Sequence, residues 1–251
     1  MFSQALVQFL ILSSIICSSL VLAHDSFEIS WKLPLPATLI AFNSTEGKKI
    51  FVDSVSSGPE SNSFFQVFQH LTTQNTTTMC SIATSVTLLN AIVSDQAPVD
   101  PTYSPYAYWT QSNFMNECTD RIVNREVIWK MGVTMDQLGA VYAACYPFVQ
   151  ATMVHANTST VEKFRGDVIT SLSKGDQIGI NFHRTELGES GGGHWSPLVA
   201  VSAARDMVLL ADVARFKYPP AWVPIDALFN AMLTVDSDAA AYRGYMKLSR
   251  V

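Results

Sequence analysis

The chain has 251 residues, enough for one sizeable domain, and its 48% hydrophobic against 15% charged side chains can fill a core and argue against a disordered polymer. Lys and Arg number 16 against 21 Asp and Glu, a net charge of −5 with no basic block, which argues against nucleic acid as a partner.

Residues 5–23 carry no charge and include Leu10, Ile11, Leu12, Ile15, Ile16, Leu20, Val21 and Leu22. Val21-Leu22-Ala23 suits a small-residue cleavage site before His24, so 1–23 is predicted to be an export signal and 24–251 a single folded domain. No Lys or Arg precedes the apolar run, which is also long enough to anchor the chain. Membrane contact is therefore expected only if this segment stays uncleaved. Leu33-Pro34-Leu35-Pro36 cannot continue a helix and predicts an extended entry.

Helical spacing of Phe64, Phe65, Val67, Phe68 and Leu71 predicts a helix over 61–71. The next helix is predicted from Thr78 or Met79 to about Val93, burying Ile82, Ala83, Val86, Leu89 and Ile92 on one face. The Pro- and Tyr-rich stretch 98–118 reads as loop, and 122–131 as a short helix. Thr134 to Gln137 and Ser159 to Glu162 read as capping boxes opening helices to about Ala144 and Ser173, the second stopped by Lys174-Gly175. The period then changes. Strands are predicted over 177–182, 195–201 and 207–213, with a Gly-rich loop over 184–193 and a turn over 202–206. Pro224 opens a helix to about Leu233, and 242–248 supplies a last strand. A helical first half packed on an antiparallel sheet from the second half is an α+β fold of papain-like layout.

Cys80, Cys118 and Cys145 follow the predicted cleavage site, and in an oxidising compartment an odd number leaves at least one thiol unpaired. Whether Cys118 and Cys145 pair, leaving Cys80 free, or pack as buried thiols stays open. Asn43-Ser44-Thr45, Asn75-Thr76-Thr77 and Asn157-Thr158-Ser159 are glycosylation acceptors by pattern. A glycan on Asn75, so close to Cys80, would obstruct a site there. A bacterial periplasm is therefore favoured over a eukaryotic secretory route.

Chemistry concentrates on Cys80, His194 and Asp212. Cys80 is placed at a helix N-terminus, where the macrodipole favours thiolate and an adjacent imidazolium favours it more. If the hairpin turns at Ala203, His194 faces Asp212 across it, within reach of a carboxylate holding one imidazole nitrogen. A thiol, an imidazole and a carboxylate make a nucleophile, its base and the base's orienter. The bland reading of Cys80 alone is a buried residue starting an amphipathic helix. Gln74 would supply an oxyanion donor beside the Cys80 backbone N–H, although a Gln in a Thr-rich loop is ordinarily just solvated. His183, before the Gly-rich loop, is the rival base but lacks a matching Asp. His70 is expected to cap or pack. No His and Cys positions have metal-ligand spacing, so no metal site is predicted.

Leu33-Pro34, Leu39-Ile40-Ala41-Phe42, Ser44-Thr45-Glu46-Gly47, Phe64-Phe65 and Thr73-Gln74 carry a resemblance that continues through Cys80 to Ala91 and Gly193-His194-Trp195-Ser196-Pro197. Arg205-Asp206-Met207, the long run Asp212 to Pro220 and Trp222-Val223-Pro224 complete it. Over about 33–250 the chain resembles phytochelatin synthase, a papain-like family acting on glutathione. The resemblance implies Cys80 as nucleophile, His194 as base, Asp212 as orienter and Gln74 in the oxyanion hole. It also implies that Asp236 and Arg243 hold the γ-glutamyl head, an acid for its ammonium and a guanidinium for its carboxylate. Arg215, with Lys217, is the other candidate for the substrate's carboxylates, and Gly192 and Gly193 let backbone approach the peptide. The expected reaction releases glycine from glutathione and passes the γ-glutamylcysteinyl group to water or a second glutathione. No cofactor is required, and heavy-metal ions would enter as thiolate complexes of the substrate.

Two departures stand out. Met79-Cys80-Ser81 replaces the family's usual Tyr-Cys-Gly, and the chain stops at Val251 without the Cys-rich extension of plant members. It resembles the short bacterial forms, for which hydrolysis is expected to predominate. A papain-like peptidase on another γ-glutamyl or peptide substrate, and a non-catalytic exported thiol- or metal-binding protein, remain the alternatives. Oligomeric state stays open between monomer and homodimer.

Overall fold

A computed structural model describes residues 33–61 and 63–251. The predicted export signal, and His24 after it, lie outside the described residues. The helices in chain order are α1 (Thr45–Ser57), α2 (Ser63–Phe68), α3 (Cys80–Ile92), α4 (Gln111–Phe114), α5 (Glu117–Ile122), α6 (Arg125–Met131), α7 (Met135–Cys145), α8 (Val161–Lys174) and α9 (Ile225–Met232). The strands are β1 (Ile40–Ala41), β2 (Val149–His155), β3 (Gln177–His183), β4 (Gly193–Ser202), β5 (Met207–Leu210), β6 (Ala221–Pro224), β7 (Val235–Asp236), β8 (Ala241–Tyr242) and β9 (Gly244–Arg250).

Seven strands form one antiparallel sheet in the order β1-β6-β5-β4-β3-β9-β2, and β7 pairs with β8 alone. Alternation along the strands splits the core into two clusters. Ile82, Val86 and Leu89 of α3 pack with Trp195, Leu209, Trp222 and Met246 in one. Phe164 and Val168 of α8 and Leu228 of α9 pack with Ile178, Leu198, Leu210 and Tyr245 in the other. Gly179 lets α3 sit close on the sheet, because a Cβ there would lie 3.2 Å from Thr84 Cγ2 and 3.6 Å from Leu88. The fold is α+β as predicted. β1 joins the sheet from the helical half, and α8 and α9 share a cluster with the strands of the second half.

Local chemistry explains most boundaries. Thr134 and Gln137 form the predicted capping box of α7. At α8 the cap is Thr160, whose hydroxyl accepts from Lys163 N–H, rather than the predicted Ser159 and Glu162 box, and Gly175 ends the helix in the left-handed region. The helix predicted over 122–131 is present as α6 and starts at Arg125, capped by Asn124, while a separate helix, α5, capped by Asn116, runs from 117 to 122. The predicted loop over 98–118 contains the capped turn α4. α3 is not amphipathic in place, since every residue from Cys80 to Asn90 is buried. Cys118 and Cys145 are joined by a disulfide linking α5 to the end of α7, and among the described residues Cys80 is the free cysteine.

Candidate active site

Cys80 is the first residue of α3, after Met79, which offers no side-chain cap. The opening N–H groups of a helix have no intrahelical partner, so this end presents donors and a positive dipole to the sulfur. His194 stands on β4, and Asp212 follows the end of β5. His194 Nε2–H donates to Asp212 Oδ1 at 2.8 Å and lies 3.0 Å from Ser196 Oγ, which accepts from Val213 N–H at 3.3 Å. The ring's other nitrogen is left for the Cys80 thiol.

The predicted register is corrected here. Val201 pairs with Val208, so His194 and Asp212 are not directly opposite, and continuing that pairing would place Asp212 on the other face of the sheet. A bulge between Leu198 and Ala200 shifts the ladder by one residue, and Leu198 then pairs with Leu210. Asp212 returns to the face of His194, one diagonal step away. The two residues meet because of the bulge, not because of the turn.

Burial would push the Cys80 thiol up, but its contact with His194 and the N–H groups of Trp195 and Ser81 outweigh that, and its pKa is lowered. Burial would push His194 down. The Asp212 carboxylate outweighs that penalty, Arg184 opposes it, Cys80 helps, and the net is upward. Asp212 is buried, yet His194 and Arg184 hold its carboxyl well below the usual carboxylate range. The three groups thus favour a thiolate–imidazolium pair beside a fixed carboxylate.

Arg184 and Glu189, within the stretch predicted only as a Gly-rich loop, join the candidate site. Arg184 is 3% exposed and donates through Nη2 to both oxygens of Asp212, at 2.7 and 3.0 Å, and through Nη1 to Glu189. Its guanidinium also lies 5.3 Å from the ring of Tyr218 and 5.9 Å from that of Phe182. Gly188, with φ of 77°, turns the chain so that Glu189 N–H reaches the Arg184 carbonyl. An Arg and a Glu five apart, in a chain so poor in charge, were the available signal.

Cys80 and His194 line a cleft that Gly192, Gly193, Asp236 and Arg243 also line. Arg243 is buried, donates through Nη1 to Thr234 Oγ1 and the Val235 carbonyl, and has Nη2 3.7 Å from Asp236. Three buried polar atoms without partners among the described residues belong to the same lining: Ser81 Oγ, Trp195 Nε1 and Arg243 Nε. Gly193 leaves room for the Arg243 guanidinium, since a Cβ there would lie 2.8 Å from Nη2 and would displace it. Gln74 lines an adjoining recess with His194 and Lys217. One of its amide hydrogens goes to the Thr76 carbonyl at 2.6 Å, and its Oε1 is buried without a partner.

Other candidates fall elsewhere. Arg215 is exposed and reaches the Leu71 carbonyl at 3.5 Å, and the structure does not bring it into the lining that holds Cys80. His183 lines the cleft but bonds Thr185 Oγ1 at 2.7 Å, with no carboxylate on its ring. His70 packs beside Tyr108. Asn75 is held by Gln111 and lines a separate polar cavity with Asn90 and Asp100.

The phytochelatin synthase family model matches residues 30–245. A Lotus japonicus protein named glutathione gamma-glutamylcysteinyltransferase 3 is 36% identical over 87% of this chain and 44% of its own length. Glutathione gamma-glutamylcysteinyltransferase 2 of Arabidopsis thaliana is 32% identical over 88% of this chain and 47% of its own. The Schizosaccharomyces pombe enzyme of that name is 31% identical over 87% and 50%. The chain thus spans half or less of the length of these curated relatives. With the match extending over α3, the sheet apart from most of β9, and every cleft residue discussed above, the chain belongs to the phytochelatin synthase family.

Proposed function

We propose that this protein is a cysteine acyltransferase that cleaves the Cys–Gly amide of glutathione. The observation that carries the reading is the buried Cys80–His194–Asp212 constellation at a helix N-terminus, in a cleft that also holds a guanidinium and a carboxylate. Cys80 thiolate attacks the carbonyl carbon, and the Cys80 N–H and the Gln74 amide stabilise the oxyanion. His194 gives its proton to the departing amine, glycine leaves, and a γ-glutamylcysteinyl thioester remains on Cys80. Water, or the amine of a second glutathione, then attacks the thioester while His194 takes a proton. The products are γ-glutamylcysteine or a short phytochelatin.

Arg243, with an unpartnered Nε–H, suits the α-carboxylate of the γ-glutamyl head, and Asp236 suits its ammonium. Acyl transfer by this route requires no cofactor. Heavy-metal ions take part as thiolate complexes of the substrate. The test is glycine release from glutathione together with a mass spectrum of the protein quenched during turnover. A mass increase of one γ-glutamylcysteinyl group on Cys80 is expected. Release of glycine by Cys80→Ala at the parent rate, or turnover of unrelated α-peptides in preference to glutathione, would refute the reading.

Export is proposed with it. The Cys118–Cys145 disulfide supports an oxidising compartment. Asn75 lines a separate cavity, so a glycan there leaves the Cys80 cleft open and does not favour a periplasm over a eukaryotic secretory route. A shift in mass on enzymatic deglycosylation of the protein from its native source separates the two routes.

A further inference from the structure

Both ring nitrogens of His155, the last residue of β2, face acceptors. Nδ1 lies 2.5 Å from the Tyr242 carbonyl, and Nε2 lies 2.9 Å from Asp136 Oδ1. A carbonyl and a carboxylate only accept, so the two-sided contact is complete only when each nitrogen carries a hydrogen, in the imidazolium form. Its two partners belong to elements, α7 and the β7–β8 hairpin, whose neighbouring residues Gln137 and Asp236 line opposite walls of one recess. Asp136 is in the first turn of α7, and Tyr242 closes the β7–β8 hairpin. The recess continues the catalytic cleft, with Gly132, Val133 and Gln137 on the helical side and Asp236 and Asp238 on the hairpin side.

Backbone bonds tie the same point to the substrate-facing residues. Ala156 N–H donates to the Arg243 carbonyl at 2.9 Å, and Arg243 N–H donates to the Thr234 carbonyl at 2.9 Å. We propose that His155 is a positioning residue, an imidazolium brace that fixes the hairpin over 235–242 against α7 and so sets the seat of Asp236 and Arg243 in the cleft. This rests on the functional reading above only for the identity of the substrate.

The charged group acting on the ring is Asp136 from α7. From the hairpin side it meets the Tyr242 carbonyl, and Arg243, next along, turns its guanidinium to Thr234 and Val235. Burial lowers the proton affinity of His155, the Tyr242 carbonyl and Asp136 raise it, and the net is upward. The brace is therefore complete below the pKa of a free histidine and is lost as pH rises through the raised value. Once neutral, the ring must turn a lone pair toward one of its two acceptors and release that wall.

The test is amide hydrogen exchange of residues 235–242 in the full chain as a function of pH, corrected for intrinsic rates, beside steady-state kinetics on glutathione. Protection in the parent is expected to fall through one midpoint at the titration of His155. That midpoint should vanish in His155→Ala and move to lower pH in Asp136→Asn. The KM for glutathione should rise about fivefold across the same midpoint, with kcat held within about twofold. Unchanged protection with the midpoint intact in His155→Ala overturns the brace. If that variant does not fold, an unmoved midpoint in Asp136→Asn overturns it alone. Absence of any glutathione turnover would sink the functional reading, and the exchange measurement would still decide the brace.

Discussion

The Cys80 sulfur is pulled two ways, by its burial and by the groups that oppose it. A buried thiol alone would be protonated and inert; here a helix N-terminus and the His194 ring tip the balance to thiolate. The pKa of Cys80 is lowered and that of His194 raised, and both directions favour the ion pair. Glycine release should therefore rise with pH as Cys80 ionises and fall as His194 loses its proton, giving a bell with a plateau. A single rise near the ordinary thiol pKa of about 8.5 would contradict this. Asp212→Asn keeps the shape of the side chain but removes the charge that raises His194, and kcat is expected to fall by on the order of 10³-fold or more. Kinetics with the variant's fold confirmed by circular dichroism would check it.

At the scale of elements, the loop over 184–193 is held by buried charge as well as by Leu187, which packs in the core. Arg184→Ala would leave Glu189 and Asp212 buried without their guanidinium, and a loss of about 3–5 kcal/mol is expected in urea unfolding. The β2–β9 pairing depends on a glycine. A Cβ on Gly244 would stand 2.0 Å from the Val154 carbonyl oxygen, so Gly244→Ala should destabilise by about 1–3 kcal/mol or more, seen as a lowered melting temperature. Elements with strong local signals were legible in the sequence: the Thr134 box, Gly175 as a helix stop, and the β4–β5 hairpin. The bulge at Val199 was not, because nothing in an apolar run marks which residue will be squeezed out of register. Nor was the buried surround of α3 legible, since its Ser and Thr residues look exposed until the sheet and neighbouring helices close around them.

For the whole molecule, the disulfide between Cys118 and Cys145 closes a segment of sequence separation 27 across the helical half. Its removal in the double Ser variant should lower stability by about 3–4 kcal/mol, read from urea unfolding without reductant. Asp212 supplies the acid limit. Its depressed pKa contributes stability that is present above the unfolded carboxylate value of about 3.9 and is lost as pH falls below it. By itself the sequence determined the α+β order of elements, the candidate thiol, imidazole and carboxylate, and the family, because those rest on residue types, periodicity and long matched runs that survive without coordinates. Only the tertiary structure decided the Cys118–Cys145 pairing, the clamp of Arg184 and Glu189 behind Asp212, the exclusion of Arg215 from the cleft and the two-sided grip on His155. Each of these depends on which distant side chains share one buried volume, where a charge must find a partner or not be charged.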